Sequence, residues 1–133
     1  MLSDAESHSL LVVNRFDLLD EAADTIRDDA KAALTALAAC AGFVRGRFGG
    51  SLDEPGEGVL VTEWESVGAY RRALSSYDVK MYATPLLARA VPQASAFEVN
   101  LSAADGSLTE TGTDRAPGIG LRDREVDDAA ETP

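Results

Sequence analysis

Two residues that could bind a small molecule interrupt otherwise apolar stretches of this sequence. Asn14 lies in the apolar run 10–16, and Trp64 closes the run 59–64. An amide on an apolar strand needs a partner, since burying it unpaired costs about 1–3 kcal/mol. A backbone group or a ligand would satisfy Asn14, and the sequence leaves both open. Trp64 offers an indole N–H and a wide ring, although an aromatic at a strand end also commonly anchors a small core.

Further candidate ligand contacts follow Trp64 along the chain. Tyr70, Tyr77 and Tyr82 supply hydroxyls and ring faces, Met81 a polarizable side chain and Arg72 a positive charge. Tyr70 falls on the apolar face of a predicted helix, so core packing explains it equally well. The other side chains can equally be surface residues or residues that fill gaps in the packing, without any role in binding.

The composition excludes several classes of function. A chain of 133 residues with net charge −11 lacks the basic surface that nucleic acid requires. No apolar run approaches the ~18–20 residues that cross a bilayer, and acids stand where a secretory signal carries positive charge. We therefore predict a cytoplasmic protein without membrane or nucleic-acid partners. One cysteine, Cys40, and one histidine, His8, provide neither a disulfide framework nor a metal-ligand set.

The alternation of apolar patterns predicts the element order β-α-β-β-α-β. A helix is predicted from the apolar stripe of Ile26, Ala30, Ala33 and Leu37, with Gly42 marking its end. Ser66 is predicted to cap the second helix, which restarts at Pro85 and continues to about residue 92. The predicted strands cover residues 8–18, 43–48, 59–64 and 95–101.

This order predicts an α+β, ferredoxin-like fold. Right-handed crossovers give a four-stranded antiparallel sheet with helices on one face. The other face carries apolar side chains, among them Leu11, Val13, Val59 and Val61. Because a bare apolar face invites aggregation, we predict that a second copy covers it in a face-to-face homodimer.

The chain divides into two regions of different composition. Residues 8–102 carry the periodic segments and form the predicted domain. Residues 103–133 are predicted to be an acidic, flexible tail, because from residue 104 onward eight acids face three arginines and no aromatic occurs.

Three segments of this domain resemble the antibiotic biosynthesis monooxygenase family of dimeric ferredoxin-like α/β-barrel proteins. They are LLVVNRF, VTEWESVGAYRRAL and ASAFEVNL, and the middle one is the most specific. The resemblance implies one pocket per subunit, between the sheet and the helices. One branch of the family oxidises phenolic polycyclic compounds to quinones with O₂ and without metal or flavin, and another binds and degrades haem.

The haem branch matches this sequence in part. Its asparagine corresponds to Asn14, but its tryptophan falls at Ala73 and its histidine ligand near Tyr82. Because tyrosinate can ligate haem iron, Tyr82 keeps haem binding as a third alternative. A histidine that many family members carry after the helical aromatic is also replaced by Ala73.

The resemblance therefore predicts a cofactor-independent monooxygenase that oxidises a small or polycyclic aromatic substrate. Asn14 and Trp64 are the predicted catalytic residues, which orient the substrate and stabilise its anion. The predicted substrate-binding residues are Phe16, Tyr70, Arg72, Tyr77, Met81 and Tyr82. A non-catalytic protein that binds a small aromatic ligand is the second alternative, favoured by the missing histidine.

Overall fold

The computed structural model describes residues 9–111 of the chain. His8 and the part of the predicted tail beyond residue 111 lie outside the described residues. The strands are β1 (Leu10–Asp17), β2 (Phe43–Gly50), β3 (Glu57–Trp64), β4 (Ala96–Glu98), β5 (Leu101–Ala104) and β6 (Ser107–Glu110). The helices are α1 (Ala23–Ala38), α2 (Val67–Leu74) and α3 (Thr84–Leu87), with a π-helical turn at Val79–Ala83 before α3.

Four antiparallel strands form the main sheet in the order β2-β3-β1-β4. The central pair, β1 and β3, runs in register from Leu10 opposite Trp64 to Asp17 opposite Glu57. This order, with β1 and β3 in the middle and α1 and α2 in the two crossovers, confirms the predicted ferredoxin-like fold.

The core lies between the sheet and the helices. Alternate residues of the central strands face it, and Phe16, Leu60 and Trp64 are each at most 1% exposed. From α1, the predicted stripe of Ile26, Ala30, Ala33 and Leu37 is buried as expected. The apolar periodicity of the sequence therefore identifies this core correctly.

The loop after α1 requires glycine for a reason different from the predicted one. The helix ends at Ala38, four residues before Gly42, so the predicted helix end is misplaced. Gly42 has a φ of +89°, and a Cβ built on it would lie 2.3 Å from the Cβ of Ala69. The close approach of α2 to this loop excludes any side chain at Gly42.

The second crossover begins as predicted and ends early. Ser66 Oγ accepts a hydrogen bond from the backbone N–H of Ala69 at 3.1 Å, which confirms the predicted cap. The predicted continuation to residue 92 is wrong, because Ala90 bridges to Phe16 and the N–H of Val91 donates to the carbonyl of Arg15. Within residues 9–111, no helix is both long and apolar enough for a membrane crossing.

The face of the sheet opposite the helices is apolar at its centre and charged at its edge. Leu11, Val13, Val59 and Val61 are half-buried on this face. Ion pairs surround them, with Arg15 at 3.0 Å from Glu57, and Arg45 and Arg47 at 3.7 and 3.9 Å from Glu63.

A second unit begins at Asn100 and contains the β5–β6 hairpin. Asp105 and Gly106 form its turn with φ values of +54° and +78°, which a two-residue type I′ turn requires. All eight strand residues are exposed. Residues 103–110 of the predicted tail therefore include part of a hairpin, whose Asp-Gly signal was present in the sequence.

Candidate functional site

An apolar surface cleft opens between α1, the loop after β1 and the β2–β3 hairpin. Its volume is about 730 Å³, within the range typical of small-molecule sites. Its apolar lining includes Leu18, Leu19, Ile26, Ala30, Leu34 and Phe48. We call it the hairpin cleft.

Glycine backbone forms the sheet side of the hairpin cleft. A Cβ on Gly58 would lie 3.0 Å from Cδ1 of Leu18 and 3.4 Å from Cζ of Phe48, so this position is tightly packed. Gly50 lies opposite Gly58 on β2, and a Cβ built on Gly50 would have no neighbour closer than 3.9 Å. The sheet side of the cleft is therefore open backbone at Gly50, while the side chains of Leu18 and Phe48 cover Gly58.

Charged side chains surround the apolar lining, and they differ in whether they are paired. Glu21 lies 3.3 Å from Arg89, and Glu57 lies 3.0 Å from Arg15, so both acids are paired with arginines that do not line the cleft. Arg27 and Lys31, one turn apart on α1, have no ion pair within the described part of the chain.

Trp64 lies in a different part of the molecule, in a packed aromatic cluster. Its ring is fully buried, with ring centroids 5.1 Å from Phe43 and 5.6 Å from Tyr70. The indole N–H donates to Thr62 Oγ1 at 2.9 Å, which satisfies its only donor. We call Trp64, Phe43, Tyr70 and Thr62 the tryptophan cluster.

Tyr70 packs against Trp64 in this cluster and is half-buried. Burial raises the pKa of its hydroxyl above the ordinary 10.0, because the phenolate is poorly solvated there. At neutral pH, Tyr70 is therefore a neutral ring and hydroxyl, and it supplies neither a proton acceptor nor an anionic ligand.

Asn14 lies on the helix-facing side of β1, half-buried and opposite Leu60. Its side-chain amide makes no hydrogen bond to the described residues. Leu60 pairs in turn with Phe48 on β2, so Asn14 lies two strands, about 10 Å, from this part of the cleft wall. Trp64 lies four residues, or about 13 Å, further along β3 than Leu60, the residue opposite Asn14.

The geometry can be compared with that of known proteins. The model of the antibiotic biosynthesis monooxygenase family matches residues 9–84, more than half of the chain. The chain belongs to this family. A search of curated proteins finds no match to the chain.

Solved structures with the same fold include members and relatives of the monooxygenase family. SnoaB, a cofactor-independent oxygenase from Streptomyces nogalater, superposes with a TM-score of 0.61 at 23% identity, over 75% of this chain and 99% of SnoaB. Rv0793 from Mycobacterium tuberculosis gives 0.56 at 19% identity, over 73% and 98% of the two chains. A possible oxidoreductase from Bacteroides thetaiotaomicron gives 0.60 at 14% identity, over 71% and 100%.

Three of the predicted substrate-binding residues of this monooxygenase-family chain line a groove between α1 and the helical segment after β3. One end, of about 450 Å³, contains Arg72 and Tyr77, and the other, of about 470 Å³, contains Tyr82. The two ends share Ala36, Ala39 and Asp78. We call this the helix groove. Met81 is 48% exposed and lines neither end.

The remaining predicted residues do not form one pocket. Phe16 is 1% exposed in the core, with its ring centroid 6.2 Å from that of Phe48. Asn14 and Trp64 line neither the hairpin cleft nor the helix groove. The structure thus brings together Trp64 with Tyr70, and Arg72 with Tyr77, but no cavity described here joins these pairs.

The residues present do not fit haem. Tyr82, the possible iron ligand, lines the helix groove, whereas Asn14 faces the core side of the sheet. The position of the missing tryptophan, Ala73, is 3% exposed and packed in the core. Within residues 9–111, no group of three or more histidine, cysteine or carboxylate side chains could hold a metal ion.

The sequence analysis missed the lining of the hairpin cleft. Ile26 and Ala30 were assigned to the core only, and the glycine-rich hairpin was interpreted as a simple connection. One signal was available, because Leu34 continues the spacing of four residues from Ile26 and Ala30. When the apolar stripe of a helix is wider than the surface it buries in the core, the extra width indicates a second apolar surface beside the core.

Proposed function

We propose that this protein is a cofactor-independent monooxygenase that oxidises a small or polycyclic aromatic compound held in the hairpin cleft. The observation that carries the proposal is the cleft itself, with its apolar lining and the open backbone at Gly50, in a chain of this family. Its volume of about 730 Å³ is large enough for a fused ring system.

The proposed reaction requires little from the protein. An anthrone-like substrate loses a proton, its carbanion transfers electrons to O₂, and loss of water from the resulting peroxide leaves a quinone carbonyl. The balance is one substrate CH₂ and one O₂ giving one C=O and one H₂O, so the substrate supplies all the electrons. Asp24, which lines the cleft and has no ion pair with a described residue, is the proposed proton acceptor.

Asn14 remains the proposed donor to the substrate anion. Its free amide supports this role, since an unpaired polar group on an apolar face gains from a ligand. A substrate held entirely in the cleft is separated from Asn14 by the buried Leu60. If Asn14 acts directly, the reacting ring extends inward past Leu60, and Asn14→Ala lowers turnover about 10–1,000-fold.

The proposal is tested by oxygen uptake with anthrone and phenolic substrates. Gly50→Phe adds a ring on the helix-facing side of β2, where the space in the cleft is open. We expect it to abolish turnover. Val44→Phe is the control on the same strand, because Val44 is 49% exposed and does not line the hairpin cleft. Oxygen uptake that Gly50→Phe leaves intact would refute the cleft as the substrate site.

A non-catalytic aromatic-ligand binder is the second candidate. The satisfied indole N–H of Trp64 supports it, since this donor is not free for a substrate. The position of the histidine that many family members carry is also occupied by Ala73, which is 3% exposed. Ligand binding without oxygen uptake by any tested phenol or anthrone would favour this candidate.

We also propose that the protein is a homodimer joined through the outer sheet face. The half-buried Leu11, Val13, Val59 and Val61 form an apolar centre that a second copy would cover. Val61→Asp should convert the dimer to a monomer in native mass spectrometry. Leu74→Asp, which adds the same charge to an exposed position on α2, should leave the dimer intact. A wild-type monomer would contradict this proposal.

A further inference from the structure

The charges around the hairpin cleft differ from those of the whole chain. The protein carries net charge −11, yet two cations without an ion pair to a described residue, Arg27 and Lys31, line the hairpin cleft; Lys31 also lines one end of the helix groove. They are four residues apart on α1 and therefore on the same side of the helix. Like charges at this spacing destabilise a helix, so these side chains gain energy when an anion lies between them.

The acids that line the same cleft are offset. Arg15 neutralises Glu57, and Arg89 binds both Glu21 and Asp29. Arg15 and Arg89 do not line the cleft. Arg27 and Lys31 are therefore the cations in its described lining. The third acid, Asp24, stands in the first turn of α1, where the positive end of the helix dipole offsets its charge.

The apolar and cationic parts of the cleft are arranged side by side. Ile26 and Ala30, both buried, alternate along α1 with the exposed Arg27 and Lys31. A ring packed between Ile26 and the backbone wall at Gly50 would place a substituent near the cationic side chains at the cleft mouth. An uncharged aromatic would leave both cations unpaired.

We propose that the hairpin cleft selects aromatic anions, compounds that carry a carboxylate or another acidic group beside a ring system, and that Arg27 and Lys31 bind the acidic group. This inference rests on the proposed location of the substrate in the cleft and specifies its chemical class. It assigns the two residues to specificity, and assigns them no step of the oxidation.

A pair of fluorescent probes tests this inference without turnover. Anilinonaphthalene sulfonate and N-phenyl-1-naphthylamine share one ring system and differ by the sulfonate. We expect the wild-type protein to bind the sulfonate at least tenfold more tightly, and this preference to weaken with salt. The double variant Arg27→Gln/Lys31→Gln should lose at least tenfold in affinity for the sulfonate and less than twofold for the neutral probe.

A matched double variant controls for net charge. Arg71→Gln/Lys80→Gln removes one arginine and one lysine from exposed positions that line neither the hairpin cleft nor the helix groove. It should bind both probes as the wild type does. An equal loss in this control, or sulfonate binding that survives Gly50→Phe, would overturn the inference. Probe selectivity without oxygen uptake would instead refute the oxygenase and leave the anion preference standing.

Discussion

The tryptophan cluster and the hairpin cleft are both built from apolar side chains, but these are packed together in the cluster and face open space in the cleft. In the cluster, three aromatic rings pack together, and the only indole N–H donates to Thr62. In the cleft, apolar side chains face open space, and Arg27 and Lys31 have no partner among the described residues. The cluster contains Trp64, whose indole N–H is already paired. The cleft contains the charged groups that are free to bind a ligand.

The difference separates what a side chain can do from what it is free to do. A buried donor with a good partner has no capacity left for a ligand, and its removal chiefly affects stability. Exposed charges next to an apolar surface cost little to the fold and can recognise a ligand. Substitutions in the cluster should therefore change folding more than binding, and substitutions in the cleft should do the reverse.

The largest expected effect is that of Trp64→Ala on stability. Removing a ring that is 0% exposed leaves a cavity, and we expect a loss of about 3–5 kcal/mol in the free energy of unfolding. Urea denaturation followed by circular dichroism measures it. Lys31→Ala, on the exposed side of α1, should change the same quantity by less than about 0.5 kcal/mol. Similar losses in both variants would remove the distinction between the two regions.

Gly46→Ala probes the point where the two regions meet. A Cβ there would lie 2.8 Å from Leu34 of the cleft and 2.9 Å from Phe43 of the cluster. We expect a loss of about 1–3 kcal/mol from overpacking, together with weaker aromatic binding as Leu34 is displaced. Gly49→Ala on the same strand, where an added Cβ would have nothing within 4 Å, is the control for stability. Unchanged stability in Gly46→Ala would show that the two regions are packed more loosely than described.

The smallest effect concerns pH. Burial raises the pKa of Tyr70 above that of an exposed tyrosine, so above about pH 10 the phenol ionises more readily in the unfolded state. The free energy of unfolding therefore falls as pH rises above about 10. Tyr70→Phe should therefore lessen the alkaline loss of stability between pH 10 and 12. Tyr77→Phe, at a residue 70% exposed, is the control. An identical alkaline decline in Tyr70→Phe and the wild type would contradict burial of this hydroxyl.

Much of the fold could be predicted from sequence because it depends on periodicity. Alternating apolar residues defined β1 and β3, and the four-residue spacing from Ile26 defined the buried face of α1. The end of α1 could not be predicted, because Gly42 is required by contact with Ala69, which lies 27 positions further along the chain.

The candidate site was less predictable than the fold. Residue type identified Trp64 and the tyrosines as capable of binding rings, but only the tertiary structure places Trp64 against Thr62 and Tyr82 in the helix groove. The cleft depends on open space beside glycines such as Gly50, and a missing side chain leaves no chemical signal in a sequence. The catalytic roles of Asn14 and Trp64 remain predictions.

One NMR titration tests most directly whether the cleft, rather than the cluster, receives aromatic ligands. The chain has one tryptophan, so its indole N–H gives a single assignable signal. On addition of N-phenyl-1-naphthylamine to labelled protein, we predict that the amides of Leu34, Gly50 and Gly58 shift while the Trp64 indole signal stays in place. A shift of the Trp64 indole with unmoved cleft amides would contradict the account and return the site to the tryptophan cluster.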